Sequence, residues 1–451
     1  SSGDSRHVIH VVKGYTVPIS DLAFKDSKST PQGFIFNEGT LLLLDSTVSG
    51  NTAFGVPGPR GYSGGNGGGI YNNGTLTLTH SIVSDNTALK NGGVILNYGT
   101  LMLVNSTVAD NTAGQSGGGI YNEGFPGSRS GTLILTNSIV SDNKTGQVGG
   151  GGIFNDGILT LTNSMISNNE AGSISIVSST VSSCSITWVN GKGTVTTGTC
   201  TPTPRVTSTP SSGINTVDSA NGGGILNYGT LILTASTVSG NKAIGKYSDG
   251  GGIYNSGFFV FSSSNTIYNA AKLSLTNSTI SDNTASNDGG GLIFIGSTSD
   301  ITFCTIYGNT ATHEGGGIAI KNDNAYNYKK TSQVEMRNSI IAANRADISP
   351  NISGTLTTYG YNLIQNFSGV TFADPLNRHS TDISGDQFPN LSIDSILRNN
   401  GGPTETYALL PGSPAIDQIP QDQCAVMTDQ RGVKRPQGSK CDIGAYEYQP
   451  S

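Results

Sequence analysis

Charge is scarce in this sequence. Asp, Glu, Lys and Arg make up 12% of the 451 residues, and the formal balance is −6. No basic cluster and no interleaving of basic with aromatic residues is present, which argues against nucleic acid as a partner. Long apolar runs are missing too, so no membrane-spanning segment is expected. Tryptophan occurs once, as Trp188, and the five histidines His7, His10, His80, His313 and His379 are scattered. The opening SSGDSRHVIHVV holds no signal peptide and reads as a mature end after processing. Low charge in a disordered chain normally comes with few branched apolar residues. Here Val, Ile and Leu recur at fixed spacing, and the 63 glycines point to many turns in an ordered chain.

What is present is one phrase repeated nine times: a small residue, Val or Ile two positions on, and Asn three positions after that. It runs from Ser46, Val48 and Asn51 to Ser339, Ile341 and Asn344. The fullest unit is GGGIYNNGTLTLTHSIVSDNTA, starting at Gly67, and uninterrupted units are 25 or 26 residues apart. Inside a unit the apolar period is two, as Leu76 and Leu78 alternate with Thr77 and Thr79. Period two means strands with one face inward. Three short strands per unit, each stacked on its counterpart in the next unit, predict an all-β chain folded as a right-handed parallel β-helix. Coils about 4.8 Å apart would make a rod on the order of 50 Å long. The two asparagine columns, one ending the phrase and one running from Asn37 and Asn72 to Asn255, suit corners that need left-handed backbone and side-chain ladders.

Departures from the period mark the places where something is added. The expected layout is a capping strand segment in 1–33, the solenoid in 34–345, and last coils with a non-repeat region in 346–451. The largest gap, 72 residues between Ser164 and Ser236, predicts a hairpin-like arm at about 170–220 that carries Trp188; an irregular extra coil is the alternative. Cys184 with Cys200, and Cys424 with Cys441, flank short segments and read as local disulfides of an oxidising compartment; five reduced cysteines are the alternative. Cys304 stands in the serine column and reads as a buried thiol. The 42-residue gap between Ser236 and Ser278 adds Phe258, Phe259 and Phe261, which are expected to be covered.

The repeats resemble those of bacterial surface proteins with a right-handed parallel β-helix, similar to the chlamydial polymorphic outer-membrane proteins. The C-terminal region adds NGGPTET at Asn400–Thr406, LLPGSPAID at Leu409–Asp417, TDQRGV at Thr428–Val433, RPQG at Arg435–Gly438 and CDIGAYE at Cys441–Glu447. That series resembles the C-terminal region of secreted proteins described as choice-of-anchor. The resemblance covers nearly everything from about Gly33 onward. It implies export and surface display, and it carries no catalytic motif. Such proteins often hold an anchoring or sorting segment, whereas this chain stops at Ser451 without one.

Three features are candidates for binding. The residue after the first core Ile forms an aromatic-rich column that includes Tyr71, Tyr121, Phe154 and Tyr254. It could be buried by a bend at the glycine run, covered by protein, or free to stack on sugars. Asp85, Asp110 and Asp142 form a short acidic row, read as solvated or as a weak calcium site. Val8, Ile9, Val11 and Val12 form a strand-like stretch that could donate an edge to a neighbouring molecule.

Parallel β-helices do host polysaccharide lyases and hydrolases. A lyase needs a base and cation-stabilised carboxylates, and a hydrolase needs paired acids. No basic residue aligns with the aspartate row, and no acidic pair stands out from the repeat. The chain is therefore expected not to be an enzyme and to need no cofactor. The leading expectation is an extracellular or cell-surface structural protein that self-associates head to tail. An adhesin that binds glycans through the arm and the aromatic column is the alternative, and a polysaccharide lyase or hydrolase is the second. An ice-binding threonine face is excluded because Thr77 and Thr79 become Met102 and Val104 one coil later.

Overall fold

The computed structural model describes residues 9–450, apart from 30–33, 59–60, 125–129, 173–174, 178–187, 190–191, 194–204, 208–218, 262–265, 325–328 and 374–378. One coil shows how the others are made. Ile70–Asn72, Thr75–Thr79 and Ile82–Ser84 are the three expected strands, and Thr87–Ala88 adds a short fourth. Ile70, Leu76, Leu78, Val83 and Ala88 are all fully buried. Every one of these strands lies parallel and in register with its counterpart one coil on, as Leu76 pairs with Leu101 and Val83 with Val108. The chain is a parallel β-helix with four ladders, called here the Ile-x-Asn, Leu-x-Leu, valine and Thr-Ala sheets. Ile352–Thr358 pairs with both Ile318–Lys321 and Gln333–Arg337, which fuses the first two into one sheet of 22 strands.

The corners follow from backbone chemistry. The residue before each corner asparagine has a left-handed backbone, with φ near +57° at Asp85, Asp110 and Asp142. The same row continues through Gly50, Asn168, Gly240, Asp282 and Gly308, all at positive φ. Asp, Asn and Gly are the residues that tolerate this conformation, so the aspartate row is explained by backbone geometry. Each corner asparagine then bonds to the next: Asn86 Nδ2 donates to Asn111 Oδ1 at 3.0 Å, and Asn111 Nδ2 to Asn143 Oδ1 at 2.9 Å. The serine column makes a third ladder, in which Ser81 N–H donates to Ser106 Oγ at 3.1 Å. Cys304 holds the same position as a buried free thiol, and burial pushes its pKa up to about 12.

The N-terminal segment does more than cap. Ile9–Val11, Thr16–Ser20, Ala23–Lys25 and Lys28–Ser29 pair in register with the first repeat coil and form a complete turn of the solenoid. The 173–218 insertion leaves the ladders intact, since Leu161 pairs with Leu233 and Asn169 Nδ2 still reaches Asn241 Oδ1 at 2.9 Å. Within it, Ser175–Val177 pairs antiparallel with Arg205–Thr207, and Trp188–Val189 with Lys192–Gly193.

The C-terminal region turns back along the rod. It lies over the outer face of the valine sheet, where Gln430 Nε2 donates to Thr237 Oγ1 at 2.8 Å and Thr279 Oγ1 donates to Gln430 Oε1 at 2.7 Å. Further along, Ala445 N–H donates to Thr305 Oγ1 at 3.1 Å. A second apolar core, including Phe303, Ile340, Leu363, Tyr407, Leu409 and Ile443, lies beneath this cover. Cys424 and Cys441 are disulfide-bonded across 17 residues, and closing a loop of that size contributes about 3 kcal/mol. Arg435 and Glu447 form a 2.7 Å ion pair with no exposed side-chain surface.

Candidate functional site

The outer face of the Ile-x-Asn sheet carries a ladder of aromatic rings. His10 meets Phe36 at 4.9 Å between centroids, Phe36 meets Tyr71 at 5.1 Å, and Tyr71 meets Tyr98 at 5.4 Å. Further on, Tyr121 stacks on Phe154 at 4.3 Å with an interplanar angle of 7°. Tyr228 contacts Phe154, Tyr254 and Phe258. Two coils place Leu in the column, at Leu96 and Leu226, and both leucines are buried. In those coils a tyrosine two positions on, Tyr98 or Tyr228, supplies the ring instead. Parallel in-register coils bring the rings within stacking distance of one another. In the Tyr121–Phe154 pair the ring faces cover each other along the rod. Ring edges and hydroxyls are therefore what this stretch offers to solvent.

Carboxylates line the same strip. The Tyr121 hydroxyl is hydrogen-bonded to Glu123, and burial followed by the charge of Glu123 raises its pKa. Burial raises Glu123 as well, against the opposing effect of its bond to Tyr121. Asp156 is pushed up to about 6 by burial and then by Glu123. Tyr98 and Tyr228 are each raised to about 12, chiefly by burial, with Glu123 and Asp156 respectively among the added causes.

At the C-terminal end of this face the aromatic column stops. Tyr254 pairs in register with Ile293, Ile293 with Ala319, and Ala319 with Ser353. Beside this stretch lies a charged cluster that breaks another row. The residue before the glycine run reads Asn66, Asn91, Ser116, Gly149 and Asn221, and then turns acidic at Asp249, Asp288 and Glu314. Asp288 is buried, and its Oδ1 accepts from the Glu314 N–H at 3.1 Å and meets His313 Nδ1 at 2.8 Å. Its Oδ2 accepts from Asn287 Nδ2 at 3.0 Å and pairs with Lys321 Nζ. Lys321 Nζ also lies 3.2 Å from Glu314 Oε1, and Ser353 Oγ donates to Glu314 Oε2 at 2.8 Å. Asp249 Oδ1 accepts from Asn287 Nδ2 at 2.8 Å and from the Asp288 N–H at 3.0 Å.

The cluster is a positioned set of charges. Burial alone would lower the Lys321 pKa, but the bonds and charges of Asp288 and Glu314 outweigh it and hold the ammonium above its ordinary value. Asp288, His313 and Glu314 offer ligand atoms within 4.8 Å of one another, so a cation could be held there. It would have to take the place of the Lys321 ammonium between the two carboxylates. The expectation that no acidic pair departs from the repeat is corrected here. The signal was legible in the row before the glycines, but insertions of unequal length hide that row from simple spacing.

The other sequence candidates fall elsewhere. Tyr71, Tyr121 and Tyr254 are half-buried in the ladder, and Phe154 is buried at 8% exposure. Trp188 lies in the insertion, and Cys184, Cys200 and Val8 lie outside the described residues. Ile9 and Val11 belong to the first coil, and Val12 is exposed at its edge. Asp85, Asp110 and Asp142 stand at solvent-exposed corners, where Asp110 is raised by burial and then by its two neighbours.

No family model and no curated protein matches this chain. Among solved structures it matches the crystal structure of pectate lyase Pel9A, at 13% identity and a TM-score of 0.36, over 99% of this chain and 84% of that one. The expectation that this chain is not an enzyme is corrected by that comparison: the solved protein is a pectate lyase, and the exclusion is withdrawn. No residue role or substrate is carried over from it.

Proposed function

We propose that this protein works outside the cell as a glycan-binding β-helix, with a neutral polysaccharide lying along the outer face of the Ile-x-Asn sheet. The observation that carries this reading is the strip of tyrosine hydroxyls and carboxylates formed by Tyr71, Tyr98, Tyr121, Glu123, Asp156 and Tyr228. Sugar hydroxyls both donate and accept hydrogen bonds, tyrosine does the same, and ionised carboxylates accept. The ring-on-ring packing supports recognition through these polar edges more than through stacking of sugars on open ring faces. The negative sign of the strip disfavours uronate-rich chains, since like charges repel. The Cys424–Cys441 disulfide supports an oxidising compartment, and the resemblance of the C-terminal region to secreted choice-of-anchor proteins supports surface display.

Affinity electrophoresis through gels containing neutral or uronate polysaccharides tests the reading. A neutral polymer is expected to retard the protein, and Glu123→Gln is expected to weaken that retardation roughly ten- to hundredfold, the effect of one charge-assisted hydrogen bond of about 1.5–3 kcal/mol. No retardation by any neutral polymer, or an unchanged Glu123→Gln variant, rejects it. New reducing ends in the incubated polymer would report cleavage separately.

Head-to-tail self-association is the second reading, favoured by one observation. Among the described residues, the four strands of the first coil have a ladder partner on one side only.

A further inference from the structure

The row that follows the core Val or Ile of the valine sheet is small for most of the rod: Ser84, Ala109, Ser141, Ser167, Ser239 and Ser281. It then becomes Tyr307 and falls back to Ala342, in register. A large residue followed by a small one makes a wall and a floor. The Tyr307 ring is backed by Tyr407, with centroids 4.4 Å apart, and Tyr407 is fixed because its hydroxyl donates to Asp282 Oδ2 at 2.5 Å. Facing this wall, the 3-10 turn Gly385–Gln387 and the segment after it supply Asp386, Phe388, Asn390 and Leu391. Between the two sides lies a cleft of about 370 Å³, within the ~300–1,000 Å³ of sites that hold a single small ligand.

The lining states the chemistry of the ligand. Tyr307 and Phe388 give it two aromatic walls, and Phe388 is 38% exposed although its ring is apolar. Gln365 is held through Oε1, which accepts from the Ala343 N–H at 2.6 Å, so its amide nitrogen is the end that can still donate. Asn390 is held in the same way, with Oδ1 accepting from the Ser392 N–H at 2.9 Å. Asp386 adds an exposed carboxylate acceptor. No Lys, Arg or His lines the cleft among the described residues, which disfavours phosphates and uronates, and the polar lining disfavours lipid. Aromatic walls combined with amide donors and a carboxylate acceptor suit a ring with an apolar face and an equatorial rim of hydroxyls. We infer that this cleft binds one neutral sugar unit. The site lies on the valine-sheet side of the rod, does not use the tyrosine strip, and does not rest on it.

Saturation-transfer NMR with glucose, galactose, mannose, N-acetylglucosamine and glucuronate as separate probes tests this on the whole protein. Transfer to at least one neutral sugar is expected. It should be lost in Phe388→Ala and weakened at least fivefold in Asp386→Asn. Both cleft residues are surface-exposed, and unchanged circular dichroism checks that the variants fold. The inference is overturned by no transfer to any neutral sugar, by glucuronate binding in preference to glucose, or by transfer that survives both cleft variants. Transfer lost only in Tyr121→Phe also overturns it, because the sugar then sits on the tyrosine strip.

Discussion

A buried asparagine is costly unless its amide is used, and the corner column uses its asparagines through their neighbours. Asn111 accepts from the N–H and the side chain of Asn86, and donates to Asn143 Oδ1 and to the Val83 carbonyl. An aspartate there would lose both donor bonds, which is why the column holds asparagine from Asn51 to Asn344. The C-terminal region handles charge differently. Asp442 is raised to about 7 by burial and then by Glu447, with its bonds from the Asp417 and Tyr448 N–H groups and the Arg435 charge opposing. Its folded pKa exceeds the unfolded value near 4, so the folded state binds the proton more tightly. The stability from this group is fully present below about pH 4 and is lost as pH rises through 7. Asp442→Asn is therefore expected to flatten the fall in stability between pH 4 and 7. Thermal melts at both pH values check it, and a variant with the parent's full pH dependence counts against this assignment.

Among the elements, the glycine runs decide how closely coils can approach. A Cβ on Gly93 would run into the carbonyl oxygen of Gly118 in the next coil and the backbone of Thr112. Gly93→Ala is expected to cost about 1–3 kcal/mol, as overpacking does, and amide exchange of the Ile95 and Ile120 strands should quicken in step. A variant that melts within a degree of the parent would show that the coils can part without loss. The coil itself was legible in the sequence because Ile70, Leu76, Leu78 and Val83 alternate with polar residues, and because Asn86 and Asn111 recur at one spacing. The cover was not. Thr237, Thr279 and Thr305 look like Thr107, yet they are buried and Thr107 is half-exposed. A threonine's burial there depends on a segment more than a hundred residues away. The acids Asp249, Asp288 and Glu314 do not line up in simple spacing because insertions of different length separate them along the chain, while the ladder restores their alignment in space.

For the molecule as a whole, the first coil bears on assembly. If its strand edges pair with another copy, sedimentation velocity should show species that grow with protein concentration, and Ile9→Pro should abolish them, since it removes the Ile9 N–H bond to the Phe34 carbonyl that seats this strand on the next coil. A single monomeric species at all concentrations rejects head-to-tail pairing. The C-terminal cover has a mechanical consequence of another kind. It grips the coils of Thr237, Thr279 and Thr305 from one side, while among the described residues no hydrogen bond ties it to the coils before Met165, where Ile82 is exposed. A rod splinted over only part of its length does not bend evenly. Lateral load is then expected to be resisted in the strapped part and to concentrate at the join between the coils of Met165 and Thr237, where the longest insertion of the sequence also falls.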